Sequence, residues 1–255
     1  MTRQMLANFE SGGAAVSVLA RTAGARVHVV DVGVGRPSGN IAVRPALTQP
    51  DAQRLVDDGV ACARELAAEG IGIVALGEMG IGNTTSASAL AAALLDVDPV
   101  AVCGRGTGID DEGLGRKVAA VRSALTANRV DRRDGRSVLA ALGGFEIAFL
   151  AGLAIAAAER RLVVLLDGFI TGAAALAAER IRPGTRSSLI AAHRSPEPGH
   201  ALVLERLCLE PLLDLRLRLG EGSGAALALP IVQASLAILD EMATFESAGV
   251  TDAGR

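Results

Sequence analysis

The sequence predicts an α/β protein, a three-layer α/β/α sandwich with a mainly parallel sheet, and three observations carry this reading. Short β-branched runs alternate with longer Ala- and Leu-rich ones along most of the 255 residues. The short runs are continuously apolar rather than alternating, as in strands covered on both faces. Glycine-rich loops follow them, where a strand would hand over to a helix. Alternating strands and helices of this kind pack as helices on both sides of one sheet.

The elements follow in order. A helical pattern runs from about Thr2 to Thr22. VHVVDVGV (27–34) reads as the first strand, and a helix is expected over 50–69. IGIVAL (71–76) is the next strand, followed by a helix over 84–95. VAVCG (100–104) reads as a third strand, with helices over 114–127, 136–142 and 145–159 behind it. LVVLLDG (162–168) and SLIAA (188–192) complete the strands, and helices are expected over 169–180 and 199–208. A long helical pattern from Ser223 to about Phe245 ends the chain, and Pro230 should kink or divide it. Residues 25–215 are expected to form a large α/β domain, with 1–24 and 216–255 packing together as a small helical subdomain.

Half of the residues are hydrophobic and 21% are charged, enough to bury a sizeable core. With five Phe and neither Tyr nor Trp, that core must be aliphatic. The net charge of −3, without a block of like charges, argues against nucleic-acid binding, which wants a basic face and stacking aromatics. Cys62, Cys103 and Cys208 are far apart and outside CxxC spacing, so they read as buried reduced thiols. His28, His193 and His200 make no metal-ligand pattern, and neither a metal nor another cofactor is expected. The N-terminus lacks the apolar core of a signal peptide. The longest apolar stretch, Ile147 to Ala158, is too short to span a bilayer. These features predict a cytoplasmic protein without a membrane partner.

In open α/β sheets, ligands sit beyond the carboxyl ends of the strands. The candidate segments are therefore GEMGIGNTT from Gly77, CGRGTG from Cys103, LDGF from Leu166, HRSPEPG from His193, and LGEGSG from Leu219. Each carries glycine, which lets backbone N–H groups approach a ligand, and a following helix N-terminus favours an anion. One such loop would be turn chemistry; the set points to a crevice for a phosphate or sugar phosphate. No GxxxxGK[ST] occurs, and GRGTG lacks the dinucleotide spacing. Glu78 and Glu221 are carboxylates inside these loops. Alone, each reads as a solvated turn acid, or for Glu221 as a favourable charge near a helix N-terminus. Lys117 either is solvated or reaches a phosphate. Asp167, at a strand end, either binds a ribose hydroxyl or caps the next helix.

GEMGIGNTTSAS, GRGTGIDDEGLGRKV, ALGGFEIAFLAG, LLDGFITGAAAL and LCLEPLLDLRLRLGEGSGAALALP occur in this order. Together they resemble the nicotinate-nucleotide–dimethylbenzimidazole phosphoribosyltransferases of cobalamin biosynthesis, over nearly the whole chain from TRQMLANFESGGAAVSVLA onward. The resemblance implies a Rossmann-like large domain, a small helical domain built from both chain ends, a homodimer and no metal. It implies that nicotinate mononucleotide and a benzimidazole give α-ribazole 5′-phosphate and nicotinate, with inversion at the anomeric carbon. Glu221 matches the family's general base, which takes the benzimidazole proton. Glu78 matches a family site residue, either favouring oxocarbenium-like charge or holding the ribose. Gly80, Asn83, Thr84, Gly106, Gly168 and Ser195 match the nucleotide pocket, with Lys117 nearby. Met79 and Leu219 match the apolar slot for the base, and Met5 falls where some relatives have glutamine.

Two departures accompany the resemblance. Relatives carry a substantial segment ahead of TRQMLANF, including an Asp-His-Gly motif, so this chain is expected to lack that segment. The loop over 34–40 is also shorter than in relatives. By sequence, the phosphate half of the site is complete and the base half is depleted. Two readings stay open: an active phosphoribosyltransferase, or a non-catalytic relative that binds nicotinate mononucleotide or a protein partner.

Overall fold

In a computed structural model, which describes residues 1–106 and 108–250, the chain is α/β. The elements are α1 (Thr2–Glu10), α2 (Ala15–Thr22), α3 (Gln49–Ala68), β1 (Ile73–Ala75), α4 (Asn83–Leu95), α5 (Pro99–Val102), α6 (Asp111–Asn128), α7 (Gly135–Leu142), α8 (Phe145–Arg160), β2 (Val163–Leu166), α9 (Phe169–Ile181), β3 (Leu189–Ala191), α10 (Pro198–Leu207) and α11 (Ser223–Glu241). The strands are parallel and ordered β1-β2-β3, with Val74 opposite Val164 and Leu165 opposite Ile190. Past β3, the backbone of Leu212 and Leu213 continues along the sheet, donating to the carbonyls of Ala191 and Ala192 at 3.0 Å each.

The central strand explains the layering. Val164 and Leu166 pack into one apolar cluster with Leu90, Ile147 and Ala174 from α4, α8 and α9. Leu165, between them in sequence, packs into a second cluster with Ala225, Ala228 and Leu229 of α11 and Ala23 at the end of α2. Successive strand side chains point to opposite faces, so a continuous apolar run feeds both layers at once. The alanine-rich helices suit this arrangement because small side chains let them lie close to the sheet and to each other. Between α3 and α8 the backbones nearly touch: a Cβ on Gly59 would lie 2.0 Å from the Phe149 carbonyl oxygen, and one on Gly152 would lie 2.0 Å from that of Val56.

The structure departs from the sequence-based expectations at five places. The 27–34 segment is not a strand; it pairs with no neighbour, and Asp31 turns it by accepting from the N–H groups of Gly33 and Val34 at 2.9 and 2.8 Å. Its valines have the composition of a strand, but β-propensity describes fit to a pleated surface, and a cavity separates this segment from β1. The 100–104 run is not a strand either. Asp98 caps α5 by accepting from Val100 N–H at 2.9 Å, and Pro99 presets the first turn, so capping outweighs the β-propensity of Val100 and Val102. The first helical pattern is split into α1 and α2 at Gly12, which has a φ of 76°. The last helix stops at Glu241 and runs without interruption through Pro230, whose ring lies on the exposed side. Of the three cysteines, Cys103 is buried, Cys62 is half-buried and Cys208 is exposed, ending α10 in the left-handed region at a φ of 57°.

By length and composition alone, α11 is long and apolar enough to cross a membrane. Its first half is buried under the sheet, whereas beyond Val232 its side chains are exposed.

Candidate active site

The glycine loops converge at the carboxyl ends of the strands. The loop after β1 leads into α4 through Gly82, at a φ of 85°, and the loop before α11 ends at Gly222, at a φ of 87°. The two loops are pressed together: a Cβ on Gly77 would lie 2.4 Å from the Glu221 carbonyl oxygen. A Cβ on Gly220 would in turn lie 3.6 Å from Glu78 Oε1. The two loop carboxylates of the sequence thus stand on neighbouring backbones, at the mouth of a cavity of about 870 Å³. Its polar end is formed by Glu78, Gly80, Glu146 and Glu221, and its apolar wall includes Met79, Val27, Ile73 and Phe149.

Burial and neighbours set the charge of these acids. Glu78 Oε2 accepts from Gly80 N–H at 3.2 Å and from the Asn83 side-chain amide. The same amide donates to Glu146 Oε1 at 2.9 Å, so one Asn holds two carboxylates close together. Burial pushes Glu78 up to about 7, with Glu146 and Asp167 adding to the rise against the two hydrogen bonds. Glu221 is also raised, by burial first and then by the Asp167 charge.

The second cluster lies around α6 and α10. Buried Lys117 donates to the Gly104 carbonyl oxygen at 3.0 Å. Burial lowers its proton affinity, and Glu197 and Cys103 oppose that. Gly106 N–H donates to Glu197 Oε1 at 2.8 Å, and a Cβ on Gly106 would lie 3.3 Å from Thr84 Oγ1. Ser195 N–H donates to His200 Nδ1 at 2.9 Å, and burial, helped by His193, drops His200 to about 4. Gly168 sits between the clusters, with a Cβ position 3.5 Å from His193 Nε2 and 3.7 Å from Ser195 Cβ.

This arrangement can seat an anion beside a lysine and backbone amides at one end. At the other it offers two carboxylates of raised proton affinity to a planar, apolar molecule. The comparisons with known proteins agree. A family model described as "Phosphoribosyltransferase" matches residues 1–250. The nicotinate-nucleotide–dimethylbenzimidazole phosphoribosyltransferase of Roseiflexus sp. (strain RS-1) is 50% identical over 266 residues, covering 98% of this chain and 75% of that protein. The enzyme of the same name from Mycobacterium avium (strain 104) is 51% identical, covering 99% and 76%. The crystal structure of CobT from Thermus thermophilus superimposes with a TM-score of 0.93 at 46% identity, covering 98% of this chain and 79% of that one. This chain belongs to the nicotinate-nucleotide–dimethylbenzimidazole phosphoribosyltransferase family.

Within this phosphoribosyltransferase fold, Glu78, Met79, Gly80 and Glu221 share the cavity, while Asn83 lies just behind it. Thr84, Gly106, Lys117, Gly168 and Ser195 surround the second cluster. Of the residues matched to the base pocket, Met79 lines this cavity, whereas Leu219 is exposed and α1 contributes Thr2, Leu6 and Phe9 rather than Met5. Asp167 does not cap the helix that follows it. It accepts from the N–H groups of Gly222, Gly224 and Ala225, at the start of α11. Thr107, inside the GRGTG motif, lies outside the described residues.

Sequence reasoning passed over Glu146 and Glu197. Both carried a usable signal, an acid at the start of a helix close to glycine or proline: Glu146 two residues after Gly144 in GGFE, and Glu197 between two prolines in SPEPG. The buried pair His193 and His200 was set aside for lacking metal spacing; its rings lie 6.4 Å apart beside Asp167.

Proposed function

We propose that this chain transfers the phosphoribosyl group of nicotinate mononucleotide to 5,6-dimethylbenzimidazole or a related base, giving α-ribazole 5′-phosphate and nicotinate for the lower ligand of cobalamin. The observation that carries this reading is the pairing of Glu221 and Glu78 on touching loops that line one cavity. A benzimidazole nitrogen attacks the anomeric carbon as the bond from that carbon to the pyridinium nitrogen breaks. The electron pair returns to the ring, which leaves as nicotinate and needs no acid. The second benzimidazole nitrogen becomes acidic as positive charge develops, and Glu221 takes its proton. On this reading Glu78 either favours positive charge at the sugar or holds the ribose. The phosphate rests against Lys117 and the amides near Gly106 and Gly168.

The test incubates the purified chain with nicotinate mononucleotide and a panel of benzimidazoles and measures released nicotinate. Nucleotide binding by calorimetry without release for any base would point to the non-catalytic reading. Glu221→Gln should abolish most turnover while nucleotide affinity holds; full activity in that variant removes Glu221 as the base.

The working form we propose is a cytoplasmic homodimer in which α1, α2 and α11 act as a helical unit. Leu239, Met242 and Phe245 are at least 70% exposed, and a second copy would cover them. Light scattering should give twice the chain mass, and Leu239→Lys should give the monomer. Flotation of the wild-type chain with lipid vesicles would favour a membrane for that face instead.

A further inference from the structure

The segment that carries Glu221 needs an outside restraint. Glu221 has a φ of 63°, between Gly220 at 79° and Gly222 at 87°. Glycine adopts this region freely, but a residue with a Cβ does so only against steric strain. Such a conformation persists only where the surroundings over-determine it.

The restraint comes from the sheet. Asp167, at the end of β2 and 4% exposed, accepts from Gly222 N–H at 3.2 Å, Gly224 N–H at 2.7 Å and Ala225 N–H at 3.1 Å. These bonds begin one residue past Glu221 and run into the first turn of α11, where amides would otherwise lack partners. On the opposite side Gly77 packs against the Glu221 carbonyl with no room for a side chain. The loop is therefore clamped between β1's continuation and β2's last carboxylate. Two of the phosphate-side residues are held by other bonds, Gly106 by Glu197 and Lys117 by the Gly104 carbonyl.

We propose that Asp167 is the positioning residue of Glu221, fixing the left-handed loop so that the base's carboxylate is already aimed before substrate arrives, and setting turnover rather than nucleotide affinity. This rests on the reading of Glu221 as the base. Misplacing a reacting group by an ångström can cost about 100-fold in rate, which bounds the effect.

The experiment compares Asp167→Asn, Asp167→Ala and Glu221→Gln in the full chain, measuring kcat for nicotinate release and the dissociation constant for nicotinate mononucleotide. Asp167→Asn is isosteric and keeps one acceptor oxygen, but turns an N–H toward the loop amides. It should lower kcat by about tenfold and Asp167→Ala by about 100-fold, with nucleotide affinity within about threefold of the parent in both. If Asp167→Ala does not fold, Asp167→Asn decides. A folded Asp167→Asn with the parent's kcat, or with affinity falling in step with kcat, overturns the proposal. An inactive Glu221→Gln beside a fully active Asp167→Asn would leave the base assignment standing and remove only the positioning role. Undiminished turnover in Glu221→Gln would remove both.

Discussion

Glu197 Oε1 accepts the Gly106 backbone N–H at 2.8 Å, so an internal carboxylate holds the glycine loop on which a nucleotide phosphate would rest. Its other oxygen, Oε2, lies 2.3 Å from where a Cβ on Gly104 would be, so the same side chain also needs Gly104 to be glycine. The bond pre-forms the loop but places a carboxylate near the proposed phosphate site. Removing the acceptor should therefore hurt more than removing the charge. We expect Glu197→Ala to weaken nicotinate mononucleotide binding by about tenfold, in line with a lost charge-assisted hydrogen bond of about 1.5 kcal/mol. Glu197→Gln, which keeps an acceptor, should stay within about threefold. Calorimetric titration of both variants checks the order.

Lys117 presents the complementary case. Its ammonium is buried and its hydrogen bond goes to a neutral carbonyl, that of Gly104. A buried cation bonded to a neutral oxygen is suited to an incoming phosphate. Lys117→Ala should raise the nucleotide dissociation constant by about tenfold to 100-fold, the range for hydrogen bonds to charged groups. The dependence of binding on salt should become shallower in the variant. Unchanged affinity at both low and high salt would take Lys117 out of the site.

The strands that the sequence revealed are those with a partner. Ile73–Ala75, Val163–Leu166 and Leu189–Ala191 lie inside short continuous apolar runs bounded by glycine-rich loops, and that combination locates them. Residues 27–34 have the same composition and no ladder, because pairing is a property of the neighbour as much as of the run. Pro99–Val102 failed for a local reason: Asp-Pro ahead of the valines is a helix start, and that signal outranks the β-branching of Val100 and Val102. At the site, glycine spacing exposed the loops, since close backbone approach leaves its mark in residue type. The job of Asp167 was not legible, because its three N–H partners lie 55 to 58 residues away in sequence.

Stability should depend on pH through two buried groups that oppose each other. Glu78 rises from 4.5 to about 7 on folding, so between those values the native state binds more protons and stability falls as pH rises. His200 drops from 6.5 to about 4, so in its window the native state binds fewer protons and stability is lost as pH falls. The windows overlap from about 4.5 to 6.5, where the effects largely cancel. Each is worth at most about 3 kcal/mol. Relative to the parent, Glu78→Gln should gain stability as pH rises across this range, and His200→Asn should lose it. Urea titrations at pH 4.5, 5.5 and 6.5 measure the two differences; parallel profiles for parent and variants would contradict the assignment.

The crossing of α3 and α8 predicts which glycines the fold can spare. Gly59 and Gly152 face each other's helix so closely that a Cβ on either would lie 2.0 Å from a backbone carbonyl oxygen. A backbone atom cannot swing aside as a side chain can, so the helices themselves would have to separate. Separation would open space along an interface that α8 shares with the sheet, adding lost packing to the steric cost. Gly59→Ala or Gly152→Ala should therefore cost about 3 kcal/mol or more, at or above the usual range for an overpacked core. Gly115, in the exposed part of α6, has nothing within 4 Å of its Cβ position and no left-handed backbone. There the same substitution acts mainly on the unfolded chain, whose freedom it reduces. Gly115→Ala should stabilise the protein by about 0.5 to 1 kcal/mol. Thermal and urea unfolding of the three variants provides the comparison, and similar stabilities for all three would mean that α3 and α8 do not meet as closely as described.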